Sequence, residues 1–405
     1  MTAATLARLR EVVAAHASAT PPGHARRALP PIEQILRGTW HEGGYGHVFV
    51  RDDWYALDHC HGTFALGSAL DAPAASLGRL LGGDPPGAER LAFFDIETTG
   101  LSGGTGTYVV LAGLGSYERA GAGEPLAFRL RQYFLADIAR ERAMLAMLAE
   151  DLGRFEGIVT YNGRAFDVPF VETRLTLARI PSPCAVLAHF DLLHGVRRLY
   201  RHRMSNCTLA EVERRLLRID RADDVPGRLI PALYFDYVRA GRAAPLRGVF
   251  RHNAEDVLSL VGVLARLAGM LSGEALDADD AAAVGRWWEF AREPVRAMRL
   301  YERALPWLRG GDDWRWVARR FAALAKRHGQ RAEAVPLWDE LWREGDGDAG
   351  LELAKHYEHH AGDLLAAEEI TRALMVRATE AGRIALAHRL GRVQRKRRRA
   401  ERAGA

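Results

Sequence analysis

The chain is poor in cysteine: Cys60, Cys184 and Cys207 are the only three in 405 residues. Spaced so widely, they do not build a disulfide framework, and this usage fits a reducing compartment such as the cytoplasm. The sequence has no run of about 18 uncharged apolar residues, which excludes a membrane-spanning helix and with it a membrane partner. Its first apolar stretch is interrupted by Arg8, Arg10 and Glu11, so no secretory leader is expected there. Glycine is dense at 102–106, but the Gly-Lys-Ser/Thr ending of a nucleotide-phosphate loop is missing. No sign of charge is in large excess. The net charge of +5 leans towards an anionic partner and decides nothing by itself.

What is present describes a globular protein of two to three domains, with 48% hydrophobic and 26% charged residues. Residues 3–16 have helical periodicity, with Leu6, Leu9, Val12 and Val13 on one stripe, and the prolines at 21–22 and 30–31 end it. Short β-rich runs at 47–50 and 54–57 flank Arg51-Asp52-Asp53, which reads as a hairpin turn. Helix, linker and small β-rich extension together make an N-terminal region, 1–90. His59, Cys60 and His61 look like metal ligands, but no second cluster follows at zinc-site spacing. A glycine- and proline-rich run at 82–87 marks a boundary.

From 91 the pattern alternates. Strands are expected at 91–97, 108–114, 127–135, 157–161 and 186–191, and helices at 140–152, 166–178, 192–201, 208–217, 231–240 and 252–271. This is an α/β unit over 91–271, a mixed sheet with helices on its faces. Beyond 275 no strand signal remains. The stretches 294–305, 331–341 and 364–374 align Ala297 with Ala334 and Ala367, close to the ~34-residue tetratricopeptide period. An all-α helical-repeat domain over 275–390 is therefore expected. A basic tail, 391–405, reads as disordered and solvated, with phosphate contact as the functional alternative.

The chemistry centres on Asp95-Ile96-Glu97-Thr98-Thr99-Gly100, at the end of the first strand of the α/β unit. Side chains at i and i+2 of a strand share a face, so Asp95 and Glu97 stand side by side despite their like charge. Something positive must lie between them, and hard oxygen ligands suit Mg²⁺ or Mn²⁺. Further acids are available at two places. Asp167 opens a helix after Asn162, where capping alone would also explain an acid. Asp256 lies beside the apolar stripe of the last helix, where an unpaired acid is costly. Asp191, at another strand end, is a weaker fifth candidate.

Asp95-Ile-Glu-Thr-Thr-Gly100, then Asn162-x-x-x-Phe166-Asp167, then helical His252-Asn253-x-x-Asp256 resemble the three motifs of DEDD-type 3′–5′ exonucleases of the ribonuclease H-like superfamily. The YprB-like branch is most similar, including the stretch from Cys207 to Gly227. The resemblance covers about 91–270. It implies two metal ions held by Asp95, Glu97, Asp167 and Asp256, and a DNA or RNA 3′ end bound by Thr98, Thr99, Gly100 and Asn162. It also implies a tetratricopeptide-like tail, which offers a surface for a protein partner. The sequence departs from the pattern at one point: a histidine, His252, stands four residues before the last aspartate, where the family has tyrosine at that spacing or histidine at five. At i−4 it lies one turn from Asp256 on the same face, within reach of a water to be activated. Two other readings are a scaffold with a vestigial nuclease domain and an endonuclease on structured RNA or RNA–DNA hybrids.

Overall fold

The structure, a computed structural model, describes residues 30–72, 78, 86–100, 106–201, 203–272 and 276–403. The expected helix at 3–16, most of the 82–87 boundary and nearly all of the 102–106 glycine run lie outside the described residues. After a short helix α1 (Ile32–Leu36) come β1 (Thr39–Gly43), β2 (Gly46–Tyr55) and the small hairpin β3 (Cys60–His61) and β4 (Phe64–Ala65). Then follow β5 (Leu91–Thr98), β6 (Val109–Arg119) and β7 (Leu126–Phe134). The remaining strands are β8 (Gly157–Thr160) and β9 (Ala188–Asp191), and the main sheet has the order β1-β2-β7-β6-β5-β8-β9. β5, β8 and β9 run parallel; the other neighbours are antiparallel.

Leu91, Ala92, Phe93 and Phe94 are all buried, because β5 is covered on both faces. One face packs on α2 (Glu141–Leu152), α3 (Asp167–Ala178) and, further along the chain, α6 (Ile230–Ala240). The other meets α4 (Leu192–Tyr200), with α5 (Leu209–Val212) nearby, and the long α7 (Leu246–Ser272). α7 starts six residues before its expected beginning. Leu246, Val249 and Phe250 belong to the first core and Val257 to Leu267 to the second, so the helix crosses from one to the other.

The hairpin expected at Arg51-Asp52-Asp53 is not there. β2 runs straight through those residues, and the chain reverses at Gly44-Tyr45, before Gly46 at φ +120°. The charged triplet is tolerated in a strand because Arg129, on the neighbouring β7, meets Asp52 at 2.8 Å, and Arg51 meets Asp53 at 2.8 Å. β2 pairs with β7 along seven residues, so the N-terminal extension continues the main sheet across position 91.

Two glycines set the depth of α7. A Cβ on Gly113 would lie 2.4 Å from Asn253 Oδ1 and 2.9 Å from Val257 Cγ2, and one on Gly115 would lie 2.4 Å from Phe128. Gly113→Ala is expected to lower stability by about 1–3 kcal/mol in urea unfolding, as overpacking does. An unchanged midpoint would mean that α7 accommodates the methyl without moving.

The rest of the chain is helical: α8 (Ala278–Phe290), α9 (Pro294–Leu308), α10 (Asp312–Arg327), α11 (Arg331–Arg343), α12 (Gly347–His356), α13 (Leu364–Arg377) and α14 (Glu380–Ala403). Each packs on its neighbours in sequence, and Ala297, Ala334 and Ala367 are wholly buried. As far as Ala403 the basic tail is not disordered: it is the second half of α14. The reason is electrostatic. Glu358 is buried and needs cations, and Arg389, Arg392 and Lys396 reach it at 2.6, 2.7 and 3.0 Å. The Arg392 hydrogen bond leads in holding its carboxyl down at about 2.

Candidate active site

The acids of β5 gather at the strand's C-terminal end. Asp95 lies on the α7 side of the sheet and pairs across with Gly113. In the space left by that missing side chain, Asn253 Nδ2 donates to Asp95 Oδ2 at 2.9 Å and to its carbonyl at 3.2 Å. Asn253 is itself held by buried Gln132, whose Nε2 donates to Asn253 Oδ1 at 2.9 Å and to the Phe250 carbonyl at 2.8 Å. The register slips between Glu97 and Thr98. There the strand turns out: Thr98 Oγ1 donates to the Gly100 carbonyl at 2.8 Å, and Thr99 Oγ1 accepts from Tyr108 N–H at 2.9 Å.

Asp167 arrives from β8 through a tight loop. Asn162 takes a left-handed backbone (φ 64°), and a Cβ on Gly163 would fall 2.4 Å from Thr160 Oγ1. Asp191 ties the loop down, accepting from Asn162 N–H at 2.8 Å and Arg164 N–H at 3.2 Å while capping α4 through Leu193 N–H. Its oxygens are engaged by backbone donors, so this acid positions the loop. Asp167, the first residue of α3, accepts from the Ile96 N–H at 3.2 Å, which sets it beside the two acids of β5. Tyr161 donates to the Cys207 carbonyl at 2.7 Å and braces the loop from the other side.

α7 brings His252 and Asp256, one turn apart, to the same place. His252 Nε2 is 3.6 Å from Glu97 Oε1 and 3.6 Å from Asp256 Oδ2. One donor atom from each of Glu97, His252 and Asp256 lies within 4.8 Å of the others. The other ring nitrogen, Nδ1, sits 2.8 and 2.9 Å from the oxygens of Asp224. A carboxylate only accepts, so Nδ1 donates to Asp224, and in the matching imidazole tautomer Nε2, which faces the acids, is the acceptor nitrogen. Asp256 Oδ1 takes Arg221 Nη2 at 2.5 Å, and Arg221 also pairs with buried Glu213.

Like charge dominates the site. Burial, and then Asp256, Asp167 and Glu97, push the Asp95 carboxyl well above the usual range. Glu97 is raised by burial and then by Asp256, Asp167 and Asp224, with Arg221 pulling the other way. Asp167 is raised to about 7, mainly by burial. In the unfolded chain these acids ionise near ~4. Between ~4 and 7 the folded state therefore binds more protons, and stability falls as pH rises through that window. In EDTA the melting temperature is expected to fall from pH 5 to pH 8, and Mn²⁺ to restore it at pH 8. A melting temperature that is flat in pH would contradict this charge balance.

Of the expected residues, Asp95, Glu97, Asp167, His252 and Asp256 converge, while the Thr98 and Thr99 hydroxyls are used within the turn. Gln132, Arg221, Asp224 and Asn253 are site residues to which the sequence assigns no role, although Asn253 stands in the third motif and on the buried stripe of α7, and Asp224 lies in the 207–227 stretch. The donor chemistry, oxygen-rich with one imidazole, fits a hard divalent cation.

This sheet, with an acid cluster at the ends of its parallel strands, is ribonuclease H-like. Residues 92–268 match the RNase_H superfamily, and the chain belongs to that superfamily. One relative that it resembles over most of its length is a protein of Bacillus subtilis (strain 168) with the name "Uncharacterized protein YprB". The two are 33% identical over 326 residues, 77% of this chain and 76% of the relative. Membership suggests a nuclease and implies a nucleic-acid substrate. Among the described residues no helix is long and apolar enough to cross a membrane.

Proposed function

We propose that this chain is a metal-dependent phosphodiester hydrolase, a 3′–5′ exonuclease on DNA or RNA. In this reading Asp95, Glu97, Asp167 and Asp256 hold two Mg²⁺ or Mn²⁺ ions. Bound there, such ions neutralise charge on the phosphate and acidify water. His252 Nε2 takes the proton from the attacking water, and Asp224 keeps the imidazole in the tautomer that accepts it. The 98–100 turn and Asn162 receive the substrate's terminal nucleotide. One observation supports this reading above the rest: Glu97, His252 and Asp256 bring a base and two acids to one point, next to two acids already held against their charge.

The proposal extends to organisation: 1–90 as an N-terminal extension, 91–271 as the catalytic domain, and 275–390 as a tetratricopeptide-like array for a protein partner, followed by the basic segment. Three free cysteines suit a cytoplasmic location. The test is a panel of 3′- and 5′-labelled single-stranded DNA and RNA with Mg²⁺, Mn²⁺ or EDTA. A ladder shortening from the 3′ end is expected only with metal. A ladder that survives EDTA would overturn the metal mechanism, internal cuts would favour an endonuclease, and no cleavage of any substrate would favour a scaffold.

A further inference from the structure

We propose that the exposed face of α4 is the track on which a single-stranded polynucleotide lies as it leaves the acid cluster; this rests on the nuclease reading. α4 begins where the site ends. Its N-cap, Asp191, is the residue that anchors Asn162 and Arg164, in the loop that delivers Asp167. The helix buries its apolar side against α7 and α8. The opposite side carries His194, Arg197 and Arg201 at i, i+3 and i+7, one stripe about 10 Å long.

All three are exposed, and among the described residues none is paired with a carboxylate. Their neighbours are spent differently: Arg203 on Asp279 and Asp280, and Arg214 and Arg215 on Glu211. The stripe is continued at both ends. Towards Asp167 stands Arg164, exposed, its guanidinium hydrogen-bonded among the described residues only to the His189 carbonyl at 2.6 Å. Towards the helical array, Arg198 lies 4.0 Å over the ring of Phe290, which is 64% exposed. Arginines without carboxylate partners for phosphates, beside an aromatic ring left partly exposed for a base, are the combination that binds single strands without reading sequence.

The test uses the full chain in EDTA, with fluorescein-labelled 20-mer and 4-mer single-stranded DNA and RNA, followed by anisotropy over a KCl series. Arg197→Ala with Arg201→Ala is expected to weaken 20-mer binding about tenfold or more. It should flatten the slope of log K against log salt by about 1.4, near 0.7 per lost phosphate contact. Phe290→Ala should weaken the 20-mer about tenfold by removing a stacked base. The 4-mer, which can occupy only part of the track, should lose less than the 20-mer. Arg398→Ala with Arg399→Ala tests the competing basic surface on α14. An unchanged slope in the α4 variant, or a slope that responds only to the α14 variant, overturns the track. If the α4 slope changes but Mn²⁺ elicits no cleavage from the unmodified chain, the track stands and the nuclease reading falls.

Discussion

Asp95→Asn is expected to lower cleavage of a labelled oligonucleotide by about 10³-fold or more while making the metal-free protein more stable. The two effects have one cause. Asp95 is buried beside Glu97, Asp167 and Asp256, and each charge raises the cost of the others. Removing one charge relieves that repulsion, as replacing an uncompensated buried ion does. The amide still fits beside Asn253, so the fold has no reason to change. The same substitution removes one of the four acids that would hold the ions, and several kcal/mol of transition-state stabilisation would go with it. Thermal unfolding with and without Mn²⁺ separates the two effects: the EDTA melting temperature should rise and the Mn²⁺-induced increment should shrink. Near-normal turnover, or a lower melting temperature in EDTA, would refute this account of the cluster.

The second large effect belongs to His252. His252→Phe is expected to cut kcat by ~10²–10⁴, the range for losing a general base. Asp224→Asn should cost about 10–100-fold, because it disturbs the orientation and tautomer of the ring without removing it. The two together should cost little more than His252→Phe alone, since Asp224 acts through the imidazole. Single-turnover rates across pH provide the discriminating readout. If Nε2 is the base, the rate profile of the Phe variant should differ in shape from that of the unmodified enzyme and not merely in height. Full additivity would separate Asp224 from His252, and near-normal turnover of the Phe variant would reassign the base.

Much of the site was legible because it uses local rules. Two acids at i and i+2 of a strand, and a histidine and an acid at i and i+4 of a helix, declare shared faces without any tertiary information. Ala297, Ala334 and Ala367 were placed by repeat spacing, and all are buried. Asp191 was not legible in the same way. An acid at a strand end reads alike as ligand or cap, and only the N–H groups of Asn162, Arg164 and Leu193 pointing at it decide. The Arg51-Asp52-Asp53 triplet looked like a turn because charge usually marks solvent. Arg129, 76 positions further along from Asp53, makes it a strand.

By itself the sequence determined the order of strands and helices from 91 onward, the α/β character with its helical continuation, and the five groups that converge at the site. These follow from periodicity and from residue types at fixed short spacings. Only the tertiary structure decided what neutralises and orients those groups: Asn253 on Asp95 across Gly113, Arg221 on Asp256, Asp224 on His252, and the α14 arginines on Glu358. The physical reason is that burying a charge creates a demand that any complementary group within a few ångströms satisfies. Which residue comes that close is settled by packing across the fold and not by spacing along the chain.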